Sequence, residues 1–323
     1  MQQTNKLIFN YKKTSHIPCI FNNQSFIVIR SFNRSNEDYF VIVNINTLEV
    51  KIVAQNLCAY RKSDQDGRYF SLKELESSVY YRSLYYFNNI KDSRENQGLK
   101  NIPGVKGCFL SIDMCPSIKR LEHNLFDAIL KTAKRSQEIN LLIAVSGLWI
   151  ATHLEDFMWL QTLPTQNIKI TWVNHSFSHI FYPDKDFTDN FLLLPNTDIG
   201  NEILQTEHLL IEMGELPSPF FRFPGLVASQ EILDILTSYG LIQLGASAWI
   251  HKLPEHETVK DGDIVLIHGN GNEDRVSLDK LIKLVQSDQF LWKNLQKELS
   301  LSNTLLVNEE LVDDSITSRR ARQ

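Results

Sequence analysis

The stretch Cys108-Phe109-Leu110-Ser111-Ile112-Asp113-Met114-Cys115-Pro116-Ser117 decides the fold. It opens as an apolar run of strand length, the composition of a strand covered on both faces. The run closes on an acid and then a proline-stiffened turn, a common way to present a carboxylate at the end of a strand. An acid in that place also reads as the N-terminal cap of a helix, so both uses stay open for the segment taken alone.

Outward from this run the chain alternates. Strands are predicted at 107–113, 141–146, 168–173, 241–245 and 263–268, with helices at 122–136, 153–161, 200–213, 229–239 and 277–286. That order implies parallel strands joined by crossover helices, an α/β fold. Upstream, Phe26 to Ile29, Tyr39 to Ile45 and Val50 to Val53 are β-rich, the last two separated by Asn46-Thr47, and predict a small antiparallel unit. Ser71 to Asn89 has a helical pattern with Val79, Tyr80, Leu84 and Phe87 on a stripe, read as a docking face rather than a sugar platform because an apolar helix face must be buried somewhere. The polar run from Lys91 to Gly98 resembles a linker. Three parts are expected: a small β-rich N-terminal region with one helix over 1–98, the alternating domain over 99–308, and a disordered tail over 309–323 with little to bury.

The net charge of -5 gives no long-range attraction for polyanions, so nucleic acid is not an expected partner. Cys19, Cys58, Cys108 and Cys115 are scattered without a C-x-x-C pair, and free thiols are expected in place of a zinc knuckle or a disulfide framework. No stretch approaches the roughly 20 apolar residues of a membrane span. The N-terminal residues lack an apolar signal core, which reads as a soluble, cytoplasmic protein. The oligomeric state stays open.

Asp113, His175, His179, Arg222 and His268 all fall at or just beyond the C-terminal ends of predicted strands or in the loops that follow, the face that carries chemistry in barrel-like α/β folds. Trp172-Val173-Asn174-His175-Ser176-Phe177-Ser178-His179 sets two imidazoles four residues apart, so one helical turn would aim both at a common metal. The plainer alternative is a pair of surface or hydrogen-bonded histidines. Phe220-Phe221-Arg222-Phe223-Pro224-Gly225 holds a guanidinium among aromatics, where a carboxylate partner is needed if it is buried, and Asp113 is the candidate. An arginine lying along an aromatic surface with its head in water is the other reading. Asp263-Ile264-Val265-Leu266-Ile267-His268-Gly269-Asn270-Gly271-Asn272-Glu273 delivers a histidine into a polar loop that lacks a phosphate-binding pattern. His268 there could act as a general acid or be structural.

In order and spacing these segments resemble the polysaccharide deacetylases of carbohydrate esterase family 4, the NodB-homology domain, over roughly residues 105 to 290. The family's T-F-D-D-G-P-S is similar to Ser111 to Ser117, its N-H-T/S-x-x-H to Asn174 to His179, and its R-x-P-x-G to Arg222 to Gly225 with the glycine one position early. Ser247-Ala248-Trp249 resembles the aromatic fourth motif and Leu266-Ile267-His268 the final L-x-H. The resemblance implies a distorted (β/α) barrel that hydrolyses non-peptide C–N bonds, by metal-assisted N-deacetylation of an N-acetylated oligo- or polysaccharide. It implies Asp113 as general base, Arg222 orienting it, His268 as general acid, His175 and His179 as ligands of zinc or a similar divalent metal, and Trp249, Pro224 and Asn174 at the substrate.

The departures matter as much. The family's third metal ligand is the second aspartate of its first motif, and Met114 stands there, unable to supply a hard anionic oxygen. Either Cys115, Glu273 or Asp274 replaces it, or the site works as a metal-independent amidohydrolase of the same fold, or it is a catalytically degenerate carbohydrate-binding protein. Ser247 also stands near where the family often has an aspartate that tunes the last histidine.

Overall fold

The computed structural model describes residues 7–59, 72–89, 94–135, 138–254, 256–287 and 289–302. The chain begins with a four-stranded antiparallel sheet in the order β1-β2-β3-β4: β1 (Ile8–Phe21), β2 (Gln24–Arg34), β3 (Glu37–Asn44) and β4 (Val50–Ala54). Period-two alternation sends β2 and β3 into two cores at once. Phe26, Val28, Phe40 and Ile42 pack with Val53 around Cys19 and Cys58, while Ile27, Ile29, Val41 and Val43 face the rest of the molecule. β1 was invisible to pattern reading because it is a polar edge strand, with register shifts after Phe9 and Lys13 and left-handed backbone at Asn10 and His16.

Two expectations for this region are corrected. Cys19 and Cys58 are not free thiols but form a disulfide across 39 residues, with Cα atoms 5.4 Å apart. The backbones of Ile20 and Ala59 pair beside it, a juxtaposition that the sheet creates and linear spacing hides. The single helix expected over 71–89 is two within the described residues, α1 (Leu72–Glu76) and α2 (Val79–Phe87), because the extended Ser78 caps the second through its hydroxyl and the Tyr81 N–H. Tyr80 and Leu84 of α2 are buried against the barrel-side cluster.

The second sheet has seven strands, all paired in parallel, in the order β10-β11-β5-β6-β7-β8-β9. In chain order come β5 (Phe109–Met114), α3 (His123–Arg135), β6 (Ile139–Val145), α4 (Gly147–Thr152), α5 (Leu154–Leu160) and β7 (Ile168–Asn174). Then follow α6 (Ile199–Glu212), β8 (Pro217–Phe221), α7 (Gln230–Ser238), β9 (Ile242–Gln243), β10 (Ala248–Trp249), β11 (Ile264–His268), α8 (Arg275–Gln286) and α9 (Leu295–Leu301). The sheet curls into a half-barrel with helices around it, a distorted (β/α) barrel as expected. β8 escaped the sequence reading because Pro217 and Pro219 lack the N–H groups that a strand interior uses.

Alternation along β5 divides the core. Cys108, Leu110, Ile112 and Met114 point outward into a cluster with α3 and α8, while Phe109 points inward and joins a cluster with Val173, Phe220, Ile242 and Leu266. The N-terminal sheet and α2 share that inner cluster and meet the second sheet at the N-terminal side of its strands, where Tyr80 donates to the Gly240 carbonyl and Asn88 to the Leu241 carbonyl just before β9, so the strand C-terminal ends are left for polar chemistry.

Residues 94–101 correct the linker expectation as far as they are described. Asn96 exchanges hydrogen bonds with the backbone of Ala246 (2.7 and 2.9 Å), Leu99 pairs with the backbone on either side of Leu244, and Lys100 accepts from the Ile264 N–H. Backbone and amide hydrogen bonds, together with the buried Leu99 side chain, fix this segment as a strap between the β9 and β11 sides. The polar tail expected over 309–323 lies outside the described residues.

The N-terminal sheet is locked to the barrel by a fully buried ion pair. Arg30 donates to both oxygens of Glu207 on α6 (2.6 and 2.9 Å) and to the Tyr239 carbonyl (2.6 Å), and Tyr11 donates to the same carboxylate (2.9 Å). Removing one buried partner strands the other, at a cost of about 3–5 kcal/mol, whereas replacing both by apolar groups costs much less. Glu207→Leu should lower stability in urea by that amount and the double variant Arg30→Met/Glu207→Leu should recover most of it; equal losses would contradict a mutually dependent pair.

Candidate active site

Asp113 is the penultimate residue of β5, on the inward face, and the strand register sets it directly beside His268 of β11 and Ala144 of β6. Arg222, just past β8, is fully buried and reaches across to it. One terminal guanidinium nitrogen donates to both Asp113 oxygens (3.2 and 3.4 Å) and the second to Ser111 Oγ (3.0 Å) and to the Gly245 carbonyl (3.1 Å), while Nε is buried without a hydrogen-bond partner. The carboxylate partner expected for a buried arginine is therefore Asp113. Burial pushes the Arg222 pKa down, and Asp113 opposes that shift.

The two histidines converge, but not by the helical turn that their spacing suggested. Residues 175–180 form a loop with left-handed backbone at Ser176 (φ 64°) and His179 (φ 47°), a costly conformation for non-glycine residues. Glu202, in the first turn of α6, holds that loop: its carboxylate accepts from the Phe177 and Ser178 N–H groups (both 2.8 Å) and from Ser178 Oγ (2.6 Å). The first residues of α4 add backbone bonds from Gly147 to Ser176 and from Leu148 to Phe177. The imidazole centroids of His175 and His179 end 4.8 Å apart.

His175 Nδ1 donates to the Arg222 carbonyl (2.8 Å), which leaves Nε2 as the acceptor, 3.5 Å from Cys115 Sγ and 3.9 Å from Asp113 Oδ2. Burial pushes the His175 pKa down and favours the neutral ring that a metal ligand needs. His179 Nε2 is buried with no hydrogen-bond partner. Ligand atoms of Cys115, His175 and His179 all lie within 4.8 Å of one another. Burial would raise the Cys115 thiol, but His179 and His268 outweigh it and bring its pKa down to about 6.

Three replacements for the missing aspartate were open, and the structure sorts them. Met114 packs outward, fully buried, against the backbone of Gly269, where an added Cβ would lie 2.9 Å from Met114 Sδ and 2.6 Å from Ile112 Cγ2. Cys115, two residues beyond Asp113, returns to the inner side. Glu273 is committed elsewhere: it accepts from the His268 N–H (3.0 Å) and pairs with His268 Nδ1 (3.1 Å). Asp274 caps α8 by accepting from the Ser277 N–H and pairs with His251 (2.8 Å). Burial would lower the His268 pKa, yet hydrogen bonds with Cys115 and Glu273 raise it well above its ordinary value. Glu273 thus holds the last histidine, and Ser247, bound to the Lys100 carbonyl and Asp263, does not.

Of the residues expected at the substrate, Trp249 lies beside the site, its ring 6.0 Å from that of His268 and under Lys252 Nζ at 4.1 Å. Asn174 and Pro224 are placed differently. Asn174 is fully buried, its amide donating to the Ile203 carbonyl (2.9 Å) and accepting from the Ser176 N–H (3.0 Å), so it shapes the histidine loop. Pro224 is buried in a turn whose Gly225 (φ 63°) has no Cβ because the Phe187 and Phe191 rings fill that space. Phe191 stacks edge-on against His179 (5.2 Å), and Phe181 (47 % exposed) and Phe187 (38 %) extend an open aromatic shelf from it. Nothing in the helical or strand periodicity marked this shelf, Glu202 or Glu273; their only sequence signal was polar or aromatic residues in the loops and first helical turn after the motifs.

Comparison with known proteins gives two results. A family model described as the RP012 protein N-terminal domain matches residues 10–81, the region of the antiparallel sheet. Among solved structures, a family 4 carbohydrate esterase from Bacillus anthracis is 16% identical with TM-score 0.45, covering 67% of this chain and 89% of that one. A peptidoglycan deacetylase from Bacillus subtilis is 15% identical with TM-score 0.44 (66% and 98% covered). A CE4 family pseudoenzyme from Bacillus anthracis is 12% identical with TM-score 0.44 and covers 92% of both chains.

The Glu202 clamp makes three bonds from one carboxylate, and hydrogen bonds to a charged group are worth about 1.5–3 kcal/mol. Glu202→Ala should cost at least that in urea denaturation; a loss under about 0.5 kcal/mol would contradict the clamp.

Proposed function

We propose that this chain hydrolyses a non-peptide C–N bond, removing acetyl groups from an N-acetylated oligo- or polysaccharide with a divalent metal such as zinc. The observation that carries this reading is the convergence, at one end of one sheet, of an arginine-held acid, a glutamate-held histidine and a three-donor nitrogen and sulfur cluster. His175 and His179 fit a metal through their Nε2 atoms, the first turned by its Nδ1 bond toward Cys115 Sγ and the second buried without a hydrogen-bond partner. A bound divalent cation would supply Lewis-acid polarisation of the acetamide carbonyl and a more acidic water.

The chain's own groups then divide the proton work. Asp113 accepts the proton of the attacking water, and Arg222 with Ser111 fixes the direction of its carboxylate. His268, its pKa raised against the effect of burial, donates its proton to the departing amine nitrogen. Glu273 on Nδ1 holds that ring in orientation and turns Nε2 toward the Cys115 side of the site, where the transfer takes place. Trp249 and the phenylalanine shelf offer apolar faces to the C–H side of sugar rings. The Cys19–Cys58 disulfide favours an oxidising compartment over the reducing cytoplasm suggested by the N-terminal sequence. No helix among the described residues is long and apolar enough to cross a membrane.

Acetate release from a panel of N-acetylated oligosaccharides, with added zinc, cobalt, manganese or nickel, tests the reading. Acetate should appear, and Asp113→Asn should slow its release about 10²–10⁴-fold, the usual worth of a general base. No acetate from any substrate with any metal would overturn it. Turnover indifferent to chelators would instead favour a metal-independent amidohydrolase, and glycan binding without turnover, unchanged in Asp113→Asn, a carbohydrate-binding protein.

The pH profile tests the acid. The active form carries the proton on His268, so the rate falls as pH rises through its elevated pKa. Glu273→Gln removes one of the groups that raise it, so the alkaline limb should move to lower pH. An unmoved limb would contradict the role given to Glu273.

A further inference from the structure

Cys108 and Cys115 are the free cysteines, and they differ in kind: Cys108 is buried in the outer core, whereas Cys115 faces the catalytic end. Its Sγ lies 3.5 Å from His175 Nε2, and its backbone carbonyl accepts from the fully buried Asn270 side chain (2.8 Å), which ties the turn to the β11 loop. Two neutral imidazoles hold a divalent ion weakly, and the carboxylate that would complete the set is replaced by an outward-packed thioether at Met114. Among the described residues the other cluster of three donor-bearing residues, His251, Glu273 and Asp274, is occupied by its own pairing, Glu273 with His268 and Asp274 with the α8 N-terminus.

We propose that Cys115, as a thiolate, is the third protein ligand of the metal, completing a Cys-His-His set with His175 and His179. The proposal rests on the metal-assisted reading above and sharpens it. A carboxylate-His-His set accepts hard and borderline ions alike, whereas a thiolate biases the site toward zinc and cobalt and away from magnesium, calcium and manganese. The strand geometry explains how the ligand moved: Cys115 shares the inner side with Asp113, and Met114 between them cannot. The sulfur takes the ligand position without displacing the base, because Asp113 remains paired with Arg222.

Cobalt substitution of the full-length protein reads the ligand directly, since only a thiolate ligand adds a strong near-ultraviolet sulfur-to-cobalt charge-transfer band to the visible bands of the bound ion. Wild type should show both. Cys115→Asp should keep the visible bands and lose the near-ultraviolet one, and Cys108→Ser should keep both. Visible bands in wild type without the charge-transfer band, or no cobalt binding, would overturn the proposal.

X-ray absorption on the zinc-loaded wild type guards against a variant that fails to fold: it should show one sulfur scatterer at about 2.3 Å. A shell of nitrogen and oxygen alone would overturn the proposal, as would a covalent acyl adduct on Cys115 in metal-free protein during turnover. Acetate release without a sulfur ligand would sink the ligand assignment and spare the deacetylase reading. A sulfur ligand with no acetate from any glycan would do the reverse.

Discussion

The guanidinium of Arg222 is fully buried, and most of the site's geometry hangs from it. A charge removed from water must find partners, and those of Arg222 come from different parts of the sheet: Asp113 and Ser111 on β5, and the Gly245 carbonyl beyond β9. Its own backbone completes the span, the N–H donating to the Asn174 carbonyl at the end of β7 and the carbonyl accepting from His175. One residue therefore sets the direction of the acid, the tautomer of the first histidine and the spacing of the strand ends that carry both. The rest of the site is arranged around that constraint.

Period-two alternation along β5 then assigns each neighbour its task. Outward residues build the core under α3 and α8, and inward residues change from Phe109 through Ser111 to Asp113, from packing to hydrogen bonding to chemistry. The N-terminal sheet shares the inner apolar cluster and is tied to α6 by Arg30 and Glu207, away from the strand C-terminal ends that carry the polar groups. Loops supply what strands cannot. Glu202 bends the histidine loop through two left-handed residues, and Glu273 folds back onto His268.

The legible parts of the chain were those with periodic local signals. β5, β6 and β11 are largely buried apolar runs, β7 is a β-branched and aromatic one, and α3, α6, α7 and α8 alternate around them at nearly the expected bounds. Asp113, His175, His179 and His268 could be read because each ends or follows a predicted strand, and Arg222 because it stands among aromatics before a Pro-Gly turn; the structure brings all five together. What stayed hidden depends on partners distant in sequence. The disulfide joins cysteines 39 residues apart, and the loop clamp on Ser178 comes from a carboxylate 24 residues later. β8 was masked by its prolines and β1 by its polar edge. Cys115 could be named only as one of three possible ligands, since separating it from Glu273 and Asp274 needs to know what those carboxylates already bind.

Anomalous diffraction at the zinc edge, from crystals of the protein grown with zinc, tests the central claim most directly. A single strong peak bounded by Cys115 Sγ, His175 Nε2 and His179 Nε2, beside an Asp113 still paired with Arg222, is the predicted result. A peak at His251, Glu273 and Asp274, or no peak near Cys115, would contradict it.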